Sequence, residues 1–111
     1  MDFATAQRDV LAFRDERDWG QFHNPKDLAM SVAIEAGELL ECFQWTGENV
    51  SVGNKERLVR EELADVLIYC IYLADSMDVD VSRLIEDKLE TNRLKYPITK
   101  ARGSSKKYTE L

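Results

Sequence analysis

From Leu63 to Ala74 the chain is apolar at every position but one, and the exception is an aspartate, Asp65. A run of this kind, free of proline, glycine and turn residues, reads as a helix that is hydrophobic on nearly all sides and central to a core. It is too short for a membrane span, which needs about 18–20 apolar residues. With only three other helices predicted around it, such a rod leaves one face for a partner chain.

The rest of the sequence supports an all-α architecture. Two prolines and five glycines in 111 residues are too few to punctuate a many-stranded sheet. Apolar residues recur at helical spacing, predicting four helices over about 2–18, 25–45, 55–77 and 81–96. Phe3, Ala6, Val10 and Phe13 form the stripe of the first. Asn24-Pro25-Lys26-Asp27 is a start signal for the second, with Asn24 as cap and Pro25 at the first helical position. Asp80 is the expected cap of the fourth, and Pro97 ends it. Residues 98–111, with Arg102-Gly103-Ser104-Ser105-Lys106-Lys107, read as a polar, basic tail without periodicity, attached to a single domain over 1–97.

Composition excludes several functions. Fifteen basic against 21 acidic side chains, a net charge of −6, argue against binding a nucleic-acid polymer. Cys42 and Cys70 lie within apolar helical pattern and read as reduced thiols of a cytoplasmic protein, and the N-terminus lacks a basic-then-apolar signal pattern. With His23 the sole histidine, a zinc site of His/Cys type is not expected.

The informative feature is the position of the acids. At about 100° per residue, Leu28, Val32, Leu39 and Cys42 share one arc of the second helix, with Glu35 in its middle, Glu38 on its flank and Glu41 nearer a boundary. On the third helix, Leu58, Glu62, Asp65, Tyr69, Tyr72 and Leu73 fall together. An unpaired carboxylate on an inward face costs several kcal/mol, so these groups need cations. One solution is an arginine such as Arg14 or Arg17 for Glu35, with Glu62 on a solvated face. Two acidic pairs spaced i,i+3 on separate apolar helices favour instead a hard divalent metal. Oxygen-only ligands suit magnesium or manganese, whereas a di-iron bundle would carry Glu-x-x-His motifs that are absent.

Other residues could serve a ligand or merely the fold. Lys88, Asn92 and Tyr96 stack at i, i+4, i+8, either as donors to phosphate or sugar oxygens or as a solvated edge. Trp19 and Trp45 flank helix junctions, either as core aromatics beside Phe22 and Phe43 or as indoles that stack on a nucleobase. His23 is either a structural hydrogen-bond partner or a base contact.

Glu35-Ala36-Gly37-Glu38-Leu39-Leu40-Glu41 followed by Glu62-Leu63-Ala64-Asp65-Val66-Leu67 resembles the paired E-x-x-E and E-x-x-D motifs of all-α NTP pyrophosphohydrolases of the MazG type. Arg17-Asp18-Trp19, Gln21-Phe22-His23, Phe43-Gln44-Trp45, Asp65-Val66-Leu67-Ile68-Tyr69, Thr91-Asn92-Arg93, Tyr96-Pro97, Arg102-Gly103-Ser104 and Lys107-Tyr108-Thr109 resemble the dCTP pyrophosphatase branch in order and spacing. The resemblance extends over about residues 3–111. It departs at Val10, where some relatives have a substrate-touching histidine, and in the loop over 46–54, which is shorter than in the animal enzymes.

The resemblance implies a four-helix bundle assembled as a dimer of dimers. It further implies magnesium-dependent hydrolysis of a nucleoside triphosphate, dCTP or a similar dNTP, to monophosphate and pyrophosphate. By position, Glu35, Glu38, Glu62 and Asp65 would hold metal. Trp19, Trp45 and Tyr69 would line the base and sugar pocket, and Lys88 and Asn92 would contact the nucleotide. Apart from the resemblance, the residues themselves offer His23 and Tyr96 as further substrate contacts, and the basic tail offers Arg102 to the phosphates. Water would attack the α-phosphorus, with Glu38 or Glu41 accepting its proton. Two alternatives accompany this reading: the same chemistry on dUTP or phosphoribosyl-ATP, and a helical oligomer that binds nucleotide without hydrolysing it or is purely structural.

Overall fold

The computed structural model describes residues 1–111, and its secondary structure is entirely helical. Five α-helices follow one another: α1 (Phe3–Glu16), α2 (Pro25–Glu41), α3 (Glu56–Ser76), α4 (Val81–Lys95) and α5 (Ile98–Ala101). Short 3-10 turns lie at Trp19–Phe22, Gly53–Lys55 and Tyr108–Glu110. The chain divides into two compact units, Met1–Asp78 and Val79–Leu111.

Local chemistry sets the helix starts. Asp2 accepts from the Thr5 amide at 2.8 Å to open α1, and Asp80 accepts from the Arg83 amide at 3.0 Å to open α4. At the head of α2 the Asp27 amide donates to Asn24 Oδ1 at 2.9 Å while Asn24 Nδ2 donates to Asp27 Oδ2 at 2.8 Å. The Asn24 cap and Pro25 at the first helical position are what the sequence predicted; the return bond from Asn24 to the Asp27 side chain is added by the structure.

Two expectations are corrected. α2 does not continue through Trp45 but stops at Glu41. The amides of Cys42, Phe43 and Gln44 bond to carbonyls three residues back, winding the chain into a tight turn. Trp45 then takes a left-handed conformation, φ 66°, which no helix can continue. Lys55 Nζ donates to the Cys42 carbonyl at 3.1 Å and ties the following loop back to this turn. The second correction concerns 98–111, expected to lack periodic structure. The segment holds α5 and a closing 3-10 turn, separated by Gly103 at φ 77°. Tyr108 packs edge-on against Tyr96, ring centres 6.0 Å apart, with Lys95 Nζ 4.7 Å from the Tyr108 ring.

In the first unit α2 and α3 pack along their lengths, and α1 lies against α3. Leu28, Cys42, Ile71, Tyr72 and Ala74 form the buried centre. Both cysteines are free thiols. α3 is central, as its composition predicts, but its apolar surface exceeds what one chain covers: Leu67 is 54% exposed, and Leu40 on α2 is 71% exposed.

Candidate active site

Glu35 comes from the middle of α2, and Glu62 and Asp65 from one face of α3, one turn apart. Packing of α2 on α3 brings one carboxylate oxygen of each within 4.8 Å of the others. Glu35 Oε2 and Glu62 Oε2 are buried and have no hydrogen-bond partner. Burial raises the Glu35 carboxyl to about 7, reinforced by Glu38 and then by the charges of Asp65 and Glu62. Glu62 is raised for the same reasons, burial first and Glu38 next. Glu38 faces both groups but stands outside the set of mutually close oxygens.

The arginines offered by the sequence as neutralisers of Glu35 are engaged elsewhere. Arg14 donates from Nε to Asp15 at 2.9 Å and from Nη1 to Asp75 at 2.6 Å. Arg17 donates to the Phe13 carbonyl at 2.9 Å, lies 3.6 Å from a Glu16 oxygen, and stacks its guanidinium 3.6 Å from the Phe13 ring centre. Converging carboxylates without a protein cation, two with orphaned buried oxygens, suit a hard divalent ion that takes oxygen ligands. Glu35, Glu62 and Asp65 therefore form a group able to hold a metal, with Glu38 beside it.

Asp65 also lines a cavity of about 380 Å³. Its walls are Val10 and Phe13 from α1, Trp19 from the 3-10 turn, and Ile68, Tyr69 and Tyr72 from α3; Asp9 is the second carboxylate on its surface. The α3 members Asp65, Ile68, Tyr69 and Tyr72 follow the three- and four-residue spacing of one helix face. Trp19 stands edge-on to Phe13, ring centres 5.6 Å apart, and Tyr69 edge-on to Tyr72 at 5.8 Å. A flat ligand entering here meets aromatic walls and, at Asp65, the acidic cluster.

The other residues singled out from sequence are placed as follows. His23 is half-buried and packs on Tyr72, ring centres 5.1 Å apart, with Nδ1 buried and unpartnered. Burial, and then the charge of Arg14, lowers its pKa. His23 is not on the cavity surface. Glu41, the last residue of α2, is exposed and borders a surface depression with Leu40 and Gln44, outside the acidic group. Trp45 is 92% exposed and absent from the cavity wall. In the second unit Lys88 and Asn92 border a depression with Leu84, Ile85 and Leu89. Tyr96 packs on Tyr108, and Arg102 is exposed just after α5.

Sequence reasoning did not find Asp9 or Ile68. For Ile68 the signal existed, three residues from Asp65 and four from Tyr72. Asp9 carried none beyond its place next to Val10.

Comparison with known proteins places the chain among pyrophosphatases of similar sequence and fold. A model of the MazG-like family matches residues 30–111. The dCTP pyrophosphatase 1 of Homo sapiens is 46% identical over 104 residues, and that of Rattus norvegicus 43%. Each match covers 89% of this chain and 61% of the relative, so the chain spans about three fifths of the length of these curated relatives. The crystal structure of a pyrophosphatase from Archaeoglobus fulgidus superposes with a TM-score of 0.76 at 40% identity, covering 85% of this chain and 91% of that one.

Proposed function

This chain belongs to the MazG-like family, and we infer that it is a nucleoside triphosphate pyrophosphohydrolase, acting on dCTP or a similar dNTP with magnesium. The observation that carries this reading is the convergence of Glu35, Glu62 and Asp65 beside an aromatic cavity that shares Asp65. The relatives named dCTP pyrophosphatase 1, and the archaeal pyrophosphatase, support the same chemistry.

The reaction is addition of water across the bond between the α- and β-phosphates, giving a nucleoside monophosphate and pyrophosphate. Glu35, Glu62 and Asp65 would hold the ion, with Glu38 beside them as the fourth proposed ligand. What a bound magnesium supplies is charge neutralisation on the polyphosphate and a more acidic attacking water. Manganese offers the same preference for oxygen ligands. Glu38, facing the cluster, is the proposed acceptor of the water proton; Glu41, at the end of α2, is the less well placed alternative. Trp19 and Tyr69 would hold base and sugar, and stacking on an aromatic ring is worth about 1–3 kcal/mol. Tyr72 forms part of the wall, and His23 acts through its contact with Tyr72.

Trp45, Lys88, Asn92, Tyr96 and Arg102 are proposed as contacts to substrate within a homo-oligomer, a tetramer built as a dimer of dimers. Support for assembly comes from the surface: Leu40, Leu63 and Leu67 are exposed apolar side chains on α2 and α3, and few apolar residues are buried. No helix is long and apolar enough to cross a membrane. House-cleaning of the cytoplasmic nucleotide pool is the role that fits a dNTP pyrophosphohydrolase.

A panel of common and modified triphosphates, with dUTP and phosphoribosyl-ATP included, tests the reading when incubated with magnesium and assayed for monophosphate and pyrophosphate. Equal release of both from at least one dNTP is expected. Failure to release either product from any substrate, by a folded protein with magnesium present, overturns it.

A further inference from the structure

Two carboxylates reach the cavity surface, and the metal cluster accounts for only one of them. Asp65 belongs to that cluster. Asp9 comes from α1 and is not among its close oxygens, nor among the charges that act on Glu35 and Glu62. Its surroundings on the chain give it no structural task. Asp2 caps α1, Asp15 pairs with Arg14 and Glu16 lies near Arg17, whereas Asp9 makes no ion pair or side-chain hydrogen bond.

An ionised carboxylate can only accept hydrogen bonds. Asp9 is exposed on the cavity surface; in a cavity that takes a polyanion a carboxylate beside the phosphates would repel them, so Asp9 suits a part of the ligand that carries donors. Its neighbours on α1 are Val10, the next residue, and Phe13, one turn on; both line the same cavity, and neither offers a polar atom to a ligand. Asp9 is thus the polar group that α1 supplies to this wall.

We propose that Asp9 is a specificity-determining residue that accepts a hydrogen bond from the exocyclic amino group of the substrate base. It thereby selects amino bases, cytosine or adenine, over the keto bases uracil and thymine. This rests on the reading of the chain as a dNTP pyrophosphohydrolase. A carboxylate accepts well from the amino group of cytosine and repels the carbonyl oxygen that replaces it in uracil. Leaving the carboxylate facing an acceptor disfavours the keto base by about 10–100-fold.

The test compares kcat/KM for dCTP and dUTP in the wild type, in Asp9→Asn and in Asp9→Leu. Binding of dCMP and dUMP is measured by calorimetry alongside, and helix content by circular dichroism. The wild type should favour dCTP. Asp9→Asn, whose amide can donate to a carbonyl, should lower the dCTP to dUTP ratio by about tenfold or more, and Asp9→Leu should lower it too. A wild type that favours dUTP overturns the proposal. So does a preference unchanged in both variants while the helices persist. If no triphosphate is hydrolysed at all, the functional reading fails. The dCMP to dUMP affinity ratio then decides the role of Asp9 by itself: a ratio above one that collapses in Asp9→Asn sustains it, and any other result removes it.

Discussion

Arg14 on α1 donates from Nη1 to an Asp75 carboxylate oxygen on α3 at 2.6 Å, linking residues sixty-one positions apart. The same guanidinium reaches Asp15 and stands 5.9 Å from the centre of the Tyr72 ring. One of the two arginines that the sequence offered as neutralisers of Glu35 is therefore committed to holding α1 on α3. Glu35 is left among other acids, which is the electrostatic condition for binding a divalent ion.

Replacing Arg14 by Met, or Asp75 by Asn, should lower stability by about 1 kcal/mol, because Arg14 is largely buried even though Asp75 is exposed, and loss of the pair loosens the packing of α1. Urea unfolding measures the loss. A double-mutant cycle should show the two changes to be less than additive.

Neutralising the cluster should move activity and metal-free stability in opposite directions. Glu62→Gln and Asp65→Asn each remove a repelling charge, so the Tm of the chelator-treated protein should rise. The rise in Tm on adding magnesium should disappear, and pyrophosphate release should fall by about 100-fold or more. Thermal scans with and without magnesium, paired with a product assay, check both signs.

The pH dependence follows from Glu35. Its folded pKa of about 7 lies above the ordinary 4.5, so between these values the folded state binds a proton that the unfolded state does not. Its contribution to stability is fully present below about pH 4.5 and lost as the pH rises through about 7. His23 acts in the opposite sense, since its lowered pKa makes acid destabilising. The Tm difference between Glu35→Gln and wild type, both metal-free, isolates the carboxyl and should grow from about pH 5 to about pH 8.

Leu63 and Leu67 lie one turn apart on α3 and are 46% and 54% exposed. Light scattering of the wild type should report a tetramer. Leu67→Lys should shift the mass towards the monomer, because a charge at a buried apolar contact is costly to desolvate.

Much of the fold was legible in the chain. Asn24 and Asp80 announce helix starts because a cap is a contact over three residues. Glu62, Asp65, Tyr69 and Tyr72 declare a common face because a helix repeats every 3.6 residues. The end of α2 was less legible. Nothing in Cys42-Phe43-Gln44-Trp45 forbids a helix; the observed turn is tied to the following loop by Lys55 reaching the Cys42 carbonyl. Without that tie the sequence predicts a longer helix, and Trp45 falls on its last turn instead of standing exposed.

Local spacing thus determined which side chains share a helix face and that acids sit where apolar residues belong. Tertiary structure decided which of those faces meet: that Arg14 finds Asp75 and not Glu35, and that Asp9 shares a cavity with Tyr69. Those outcomes depend on the axial register and crossing of separate helices. Such quantities arise from packing between segments distant in the chain, beyond the reach of any short-range pattern.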